Sequence, residues 1–96
     1  MADENIKIVR MLDKETVEVS LPNRCGHERI AMESSASFAK MVGFQKERIE
    51  DLKTAVSEAC LNAMEHGNRG RPDARVIVTM SFNADTFSVT VRDEGT

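Results

Sequence analysis

Glu58, Asn62 and His66 stand at i, i+4 and i+8. On an α-helix each follows the last by only about 40°, so the three form one polar line. A carboxylate on such a line can orient or deprotonate an attacking hydroxyl or water. An amide oxygen is a hard ligand suited to Mg²⁺, which keeps several waters and takes one or two protein oxygens beside phosphates. Asn is a mediocre helix former, so its place in mid-helix asks for a reason. The same line also suits an ordinary solvated face whose His complements the C-terminal end of the helix dipole. Spacing alone does not separate the two. A second candidate is Asp93-Glu94-Gly95, although by itself Asp-x-Gly is a common polar turn after a strand.

The elements that would position these residues can be read from hydrophobic period. Between Lys46 and His66 the apolar residues Ile49, Leu52, Ala55, Val56, Ala59, Cys60, Ala63 and Met64 fall within one arc of roughly 180°, which predicts a helix. Gly67 and Gly70 end it, and residues 68–73 read as a surface loop. An earlier helix is expected over 27–42 from Ile30, Ala31, Phe38, Met41 and Val42, with Gly43 as its stop. Two short runs, Ile6–Met11 and Val17–Leu21, suggest an N-terminal hairpin that Pro22-Asn23 closes. Val76, Val78, Met80 and Phe82 share one face of a later strand, and Phe87, Val89 and Val91 do the same in the next, joined by a turn at Asn83-Ala84-Asp85. The predicted order is β(β)ααββ in a single domain over 1–96. The fold class is α+β: a two-layer sandwich with an antiparallel or mixed sheet and two helices on one face.

Bulk properties narrow the function. The chain has 96 residues, 41% of them hydrophobic, enough for a globular core and too many for a disordered tail. Its net charge of −3 argues against a general nucleic-acid binder or a polybasic membrane anchor. No apolar run is long enough to span a bilayer, and the N-terminus lacks the apolar stretch of a signal peptide. Cys25 and Cys60 form no CxxC pair, so neither a metal ribbon nor a redox motif is indicated. Free thiols with a packing role, in a reducing cytoplasm, are the expectation for both.

The string Glu58-Ala-Cys-Leu-Asn62-Ala-Met-Glu-His66-Gly67-Asn68 resembles the N-box of the histidine-kinase-like (GHKL) ATPase superfamily. The wider text, VSEACLNAMEHGN, then a hairpin, then VRDEG, is most similar to the branch of small bacterial anti-sigma-factor serine kinases. The resemblance covers about Val17 to Thr96, with its specific part in 54–68 and 89–95. It implies an incomplete Bergerat-type ATP-binding fold, with ATP and Mg²⁺ as cofactors. It implies Glu58 as the general base that activates a serine hydroxyl, and Asn62 as the Mg²⁺ ligand. Asp93 is implied as acceptor for the adenine amino group, Gly95 as the G1 glycine that lets the chain pass close to the base, and His66 as a supporting residue near the phosphates. The implied protein is an ATP-dependent serine/threonine-protein kinase and anti-sigma factor in the cytoplasm. Its implied partners are a sigma factor and an anti-anti-sigma protein of the STAS fold, with no direct nucleic acid and no membrane. Alternatives are the ATP-binding domain of a sensor histidine kinase, or a sigma-binding module without catalysis.

The sequence departs from the family pattern at its end. The G1 box usually reads DxGxG, and the chain stops before the second glycine. The ATP lid, the glycine-rich G2 box and the closing strands are not in these residues. The expectation is therefore that this piece binds ATP weakly, shows no kinase activity by itself, and self-associates as a homodimer or a strand-exchanged oligomer.

Overall fold

The structure, a computed structural model, describes residues 9–11 and 15–94. Strand β1 (Val9–Met11) pairs antiparallel with β2 (Thr16–Pro22), which opposes Val9 to Val19 and Met11 to Val17. Helices α1 (Glu28–Met41) and α2 (Lys46–Asn62) follow, and α2 runs into a π-helical turn at Ala63–Gly67. Strands β3 (Arg75–Asn83) and β4 (Thr86–Arg92) complete an antiparallel sheet in the order β1-β2-β3-β4. The predicted α+β order is thus observed, and its sheet is antiparallel throughout the described residues. Residues 6–8 of the first expected strand, residues 12–14 of its turn, and Gly95 lie outside the described residues.

Strand period decides which sheet face is covered. Val19 and Leu21 of β2 and Val76, Val78 and Met80 of β3 are all fully buried, and the register sets Val19 against Val78 and Leu21 against Val76. Each such side chain contributes on the order of 1.5–3 kcal/mol by leaving water. Val56, Cys60, Ala63 and Met64 from the second helix and its π turn, and Ala31 from α1, close the same core. On β4, Val89 and Val91 face Met80 and Val78 across the ladder and are only partly covered.

Helix α1 corrects the expected core face. Its buried residues are Ala31, Ser35 and Ala39, one small residue per turn. Ile30 is exposed, and Met41 is 82% exposed. Small residues let the helix lie close to the sheet, where the Ser35 hydroxyl donates to the Met80 sulfur at 3.2 Å. Gly43 stops α1 as expected, and the reason is geometric. Its φ is +97°, its N–H donates to the Lys40 carbonyl and that of Phe44 donates to the Ala39 carbonyl, the paired bonds of a Schellman cap. Phe44 is thereby turned onto the Phe87 ring, 5.5 Å between centroids, which also takes the edge of Phe38 at 5.2 Å.

The thiols differ, which corrects the packing role expected for both. Cys60 is buried in the core, whereas Cys25 is exposed; both are free. Burial first, and the Glu28 carboxylate second, push the Cys60 thiol up from 9.0 to about 11. The native state then keeps a proton that the unfolded chain loses. Stability from this group is whole below about pH 9 and is lost as pH rises towards 11. Iodoacetamide at about pH 8 is expected to alkylate Cys25 alone in the native protein, and Cys60 only after denaturant is added. Two labels under native conditions would contradict the burial.

Candidate functional site

The helix that carries the polar line ends in an unusual way. The N–H of Asn68 donates to the Ala63 carbonyl at 2.7 Å and that of Gly70 to the Met64 carbonyl at 2.9 Å, bonds longer in sequence than the α-helical i→i+4. Such π turns recur at functional sites. This one displaces His66 from the position that continuous α spacing gives it. Arg69 and Gly70 follow with φ of +54° and +69°, and the chain reverses into β3.

The end of β4 comes to the same place. A Cβ built on Gly67 would sit inside the Asp93 carboxyl group, overlapping its Oδ2 and Cγ and lying 2.8 Å from its Cβ. Gly67 is not among the positive-φ residues, so its lack of a side chain serves space rather than backbone conformation. Leu52, Ala55, Val56 and Ala59 of α2 and Val89 and Val91 of β4 line a hollow of about 200 Å³, and neither Gly67 nor Asp93 is among its lining residues. Strand alternation carries the side of Val89 and Val91 on towards Asp93. Helical spacing carries the line of Ala55 and Ala59 on towards the π turn.

Asp93 is therefore brought to the end of the helix, with its side chain against Gly67. Glu58, Asn62 and His66 are exposed. Among the described residues none of the three forms a side-chain hydrogen bond or ion pair. Glu58 stands three residues after Ala55, and Asn62 three after Ala59, so each is a helical neighbour of a residue that lines the hollow. Among the described residues no group of three or more His, Cys, Asp or Glu could hold a metal ion unaided. No helix among them is long and apolar enough to cross a membrane.

One residue of the site was not legible in the sequence. Asn68, which reads as ordinary helix-ending text, is fully buried. Its Nδ2 donates to the Arg75 carbonyl at 2.9 Å and to Asn23 Oδ1 at 3.2 Å, and its Oδ1 accepts from the Glu94 N–H at 2.7 Å. Glu94 is held twice more: its Oε1 accepts from the Arg75 N–H at 2.7 Å, and its carbonyl accepts from Arg71 Nη2 at 3.0 Å. Its partners are too distant along the chain for a local sequence pattern to show them.

The family model described as histidine kinase-like ATPase domain matches residues 21–96. The chain is similar to the serine-protein kinase RsbW of Listeria innocua, 37% identical over 86 residues that make up 90% of this chain and 54% of that protein. It is similar to the serine-protein kinase RsbW of Bacillus subtilis, 33% identical over 79 residues, 82% of this chain and 49% of that protein. It is also similar to the anti-sigma F factor of Halalkalibacterium halodurans, 32% identical over 79 residues, 82% and 54% of the two chains. The chain spans about half the length of the curated relatives it matches.

Proposed function

Because this chain belongs to the histidine kinase-like ATPase domain family, we propose that the protein it is part of is an ATP-dependent serine-protein kinase that also acts as an anti-sigma factor. It works in the cytoplasm, sequesters a sigma factor, and phosphorylates a serine on an anti-anti-sigma protein of the STAS fold. The relatives' names support the class. The observation that carries the reading to particular residues is the seating of Asp93 against Gly67, after the helix and strand whose earlier residues line the hollow.

The residues present fit an adenine nucleotide. The hollow offers aliphatic walls to a flat base, and the Asp93 carboxylate, an acceptor when ionised, suits the exocyclic amino group. At about 200 Å³ it lies below the roughly 300 Å³ at which small-molecule pockets usually begin, so it has room for a base rather than for a whole nucleotide. Asn62 would hold Mg²⁺ through its amide oxygen, in keeping with an ion that takes one or two protein ligands and completes its shell with water and phosphate. ATP supplies the phosphoryl group, and Mg²⁺ offsets its charge. Glu58 would accept the proton of the serine hydroxyl as that oxygen bonds to the γ-phosphorus and the bond from phosphorus to the bridging oxygen of ADP breaks. His66 would take the supporting role at the phosphates, and Gly95 the G1-glycine role, that the family pattern implies for them.

Calorimetry of Mg·ATP binding to the full-length protein tests this. Asp93→Ala is expected to weaken ATP binding by about tenfold to a hundredfold, the range for a hydrogen bond to a charged group. Asn62→Ala is expected to weaken binding only while Mg²⁺ is present. Unchanged affinity in both variants would remove the assignment.

A further inference from the structure

We propose that the junction of α1 and α2 is a docking site for an acidic segment of a partner protein, one in which carboxylates flank an apolar side chain. The site lies apart from the hollow between α2 and β4 and does not rest on the nucleotide reading of that hollow.

Lys40, Phe44, Lys46 and Ile49 line a hollow of about 360 Å³, within the size range of ligand pockets. It shares no lining residue with the hollow of about 200 Å³. Its apolar part is preformed. The Schellman cap at Gly43 sets the direction of Phe44. The Phe44 ring then rests against Phe87 at 5.5 Å and carries the Arg48 guanidinium at 5.1 Å. Ile49 is half-buried. An incoming side chain meets a surface that is already ordered, which lowers the cost of association. Met41, which follows Lys40 at the end of α1 and is 82% exposed, adds an adaptable apolar side chain.

The charge of the lining selects the partner. It holds two cations and no anion. Lys40 and Lys46 are exposed, and among the described residues neither ammonium group forms a hydrogen bond or ion pair. The carboxylates that helical spacing brings nearest to them are engaged elsewhere. Glu50, one turn after Lys46, and Glu33, two turns before Lys40, both pair with Lys53, at 3.8 and 3.7 Å. The chain as a whole has a net charge of −3, so the positive spot is local. Glu47 and Asp51 stand about 100° or more around α2 from Lys46 and are exposed. A long polyanion or an anionic bilayer would meet them together with the lysines. A short segment that seats one apolar side chain on Phe44 and Ile49 meets the lysines alone, whose stems can cover it while their charged ends reach its carboxylates.

Fluorescence anisotropy with the full-length protein tests this. The probe is a fluorescein-labelled pentapeptide with one leucine between two pairs of aspartates. Saturable binding is expected, and binding that does not saturate below about 1 mM overturns the proposal. The asparagine analogue and the analogue with glycine for leucine are each expected to bind at least about fivefold more weakly. Equal binding of either analogue refutes the chemistry assigned to the hollow. Lys40→Glu/Lys46→Glu is expected to weaken binding by about tenfold or more, since two exposed ion pairs, each worth up to about fivefold, become repulsions. Both side chains are exposed and unpaired, so this variant keeps the fold, which circular dichroism checks. The same change of charge around the start of α1, Arg24→Glu/Arg29→Glu, should leave binding within about threefold because salt screens charges that far away. Equal losses in the two double variants mean attraction without a site and overturn the proposal. Two further results also overturn it. Cosedimentation with phosphatidylserine vesicles that Lys40→Glu/Lys46→Glu abolishes assigns the surface to a bilayer, and a dimer that the same variant dissolves assigns it to a second copy of the chain.

Discussion

Gly67→Ala is expected to lower ATP affinity of the full-length protein by about a hundredfold and to cost about 1–3 kcal/mol of stability, the usual range for forcing an extra carbon into packed space. The added methyl would occupy the volume of the Asp93 carboxyl group, so one of the two must move. The Asp93 side is not free to yield, because the next residue is tied through its N–H, its carbonyl and its carboxylate to Asn68, Arg71 and Arg75. The helix side is held by the Asn68 N–H bond to the Ala63 carbonyl. Both costs arise in one place: strain in the two segments, and displacement of the proposed base acceptor. Gly43→Ala is the control. Gly43 has φ +97° and open space around a built Cβ, so alanine there is strained by backbone conformation alone. It should cost about 1 kcal/mol while leaving nucleotide affinity unchanged. Urea midpoints and calorimetry on both variants check the pair. Equal effects on ATP affinity would mean that Gly67 contributes to stability and not to the site.

The contrast between these two glycines shows what sequence can and cannot carry. Both read as helix stops, and both are. Only the fold reveals that Gly67 is also the floor under Asp93, because the contact joins residues that no local period relates. The strands were legible for the opposite reason. Alternation in Val17–Leu21 and in Val76–Phe82 is a local consequence of one covered and one wet face, and the register then follows from pairing like with like. Helix α2 was legible from its broad apolar arc. Helix α1 was misread because hydrophobic size is a poor guide where close approach matters. Ala31, Ser35 and Ala39 face the core; of the five apolar residues that marked the helix, Ala31 and Phe38 join or pack on the core while Ile30 and Met41 are exposed. The π turn after Asn62 depends on carbonyls being claimed by N–H groups from the following loop, which the hydrophobic pattern does not encode. Asn68 escaped notice because its partners lie 7, 26 and 45 positions away. The polar residues of the motif could be named from their types, but the buried amide that bonds residues 23, 75 and 94 could not.

Glu58 offers the sharpest separation of catalysis from folding. It is exposed, and its side chain makes no hydrogen bond or ion pair among the described residues, so its removal should shift stability by no more than about 0.5 kcal/mol. It also lies outside the apolar hollow, so ATP affinity in Glu58→Ala should stay within about threefold of the unsubstituted protein. Phosphorylation of the partner serine is expected to fall by about a hundredfold to ten-thousandfold, the usual contribution of a positioned general base. Glu58→Gln sharpens the test, because the amide keeps the length and an acceptor oxygen but cannot carry the proton away. If orientation of the hydroxyl were the whole role, Gln would retain most of the activity. If proton acceptance is the role, Gln should be nearly as impaired as Ala. Single-turnover phosphorylation with ATP prebound keeps binding out of the comparison. Full activity in Glu58→Ala would remove Glu58 from the reaction while leaving the proposed base site at Asp93 untouched, since the two assignments rest on different segments of the chain.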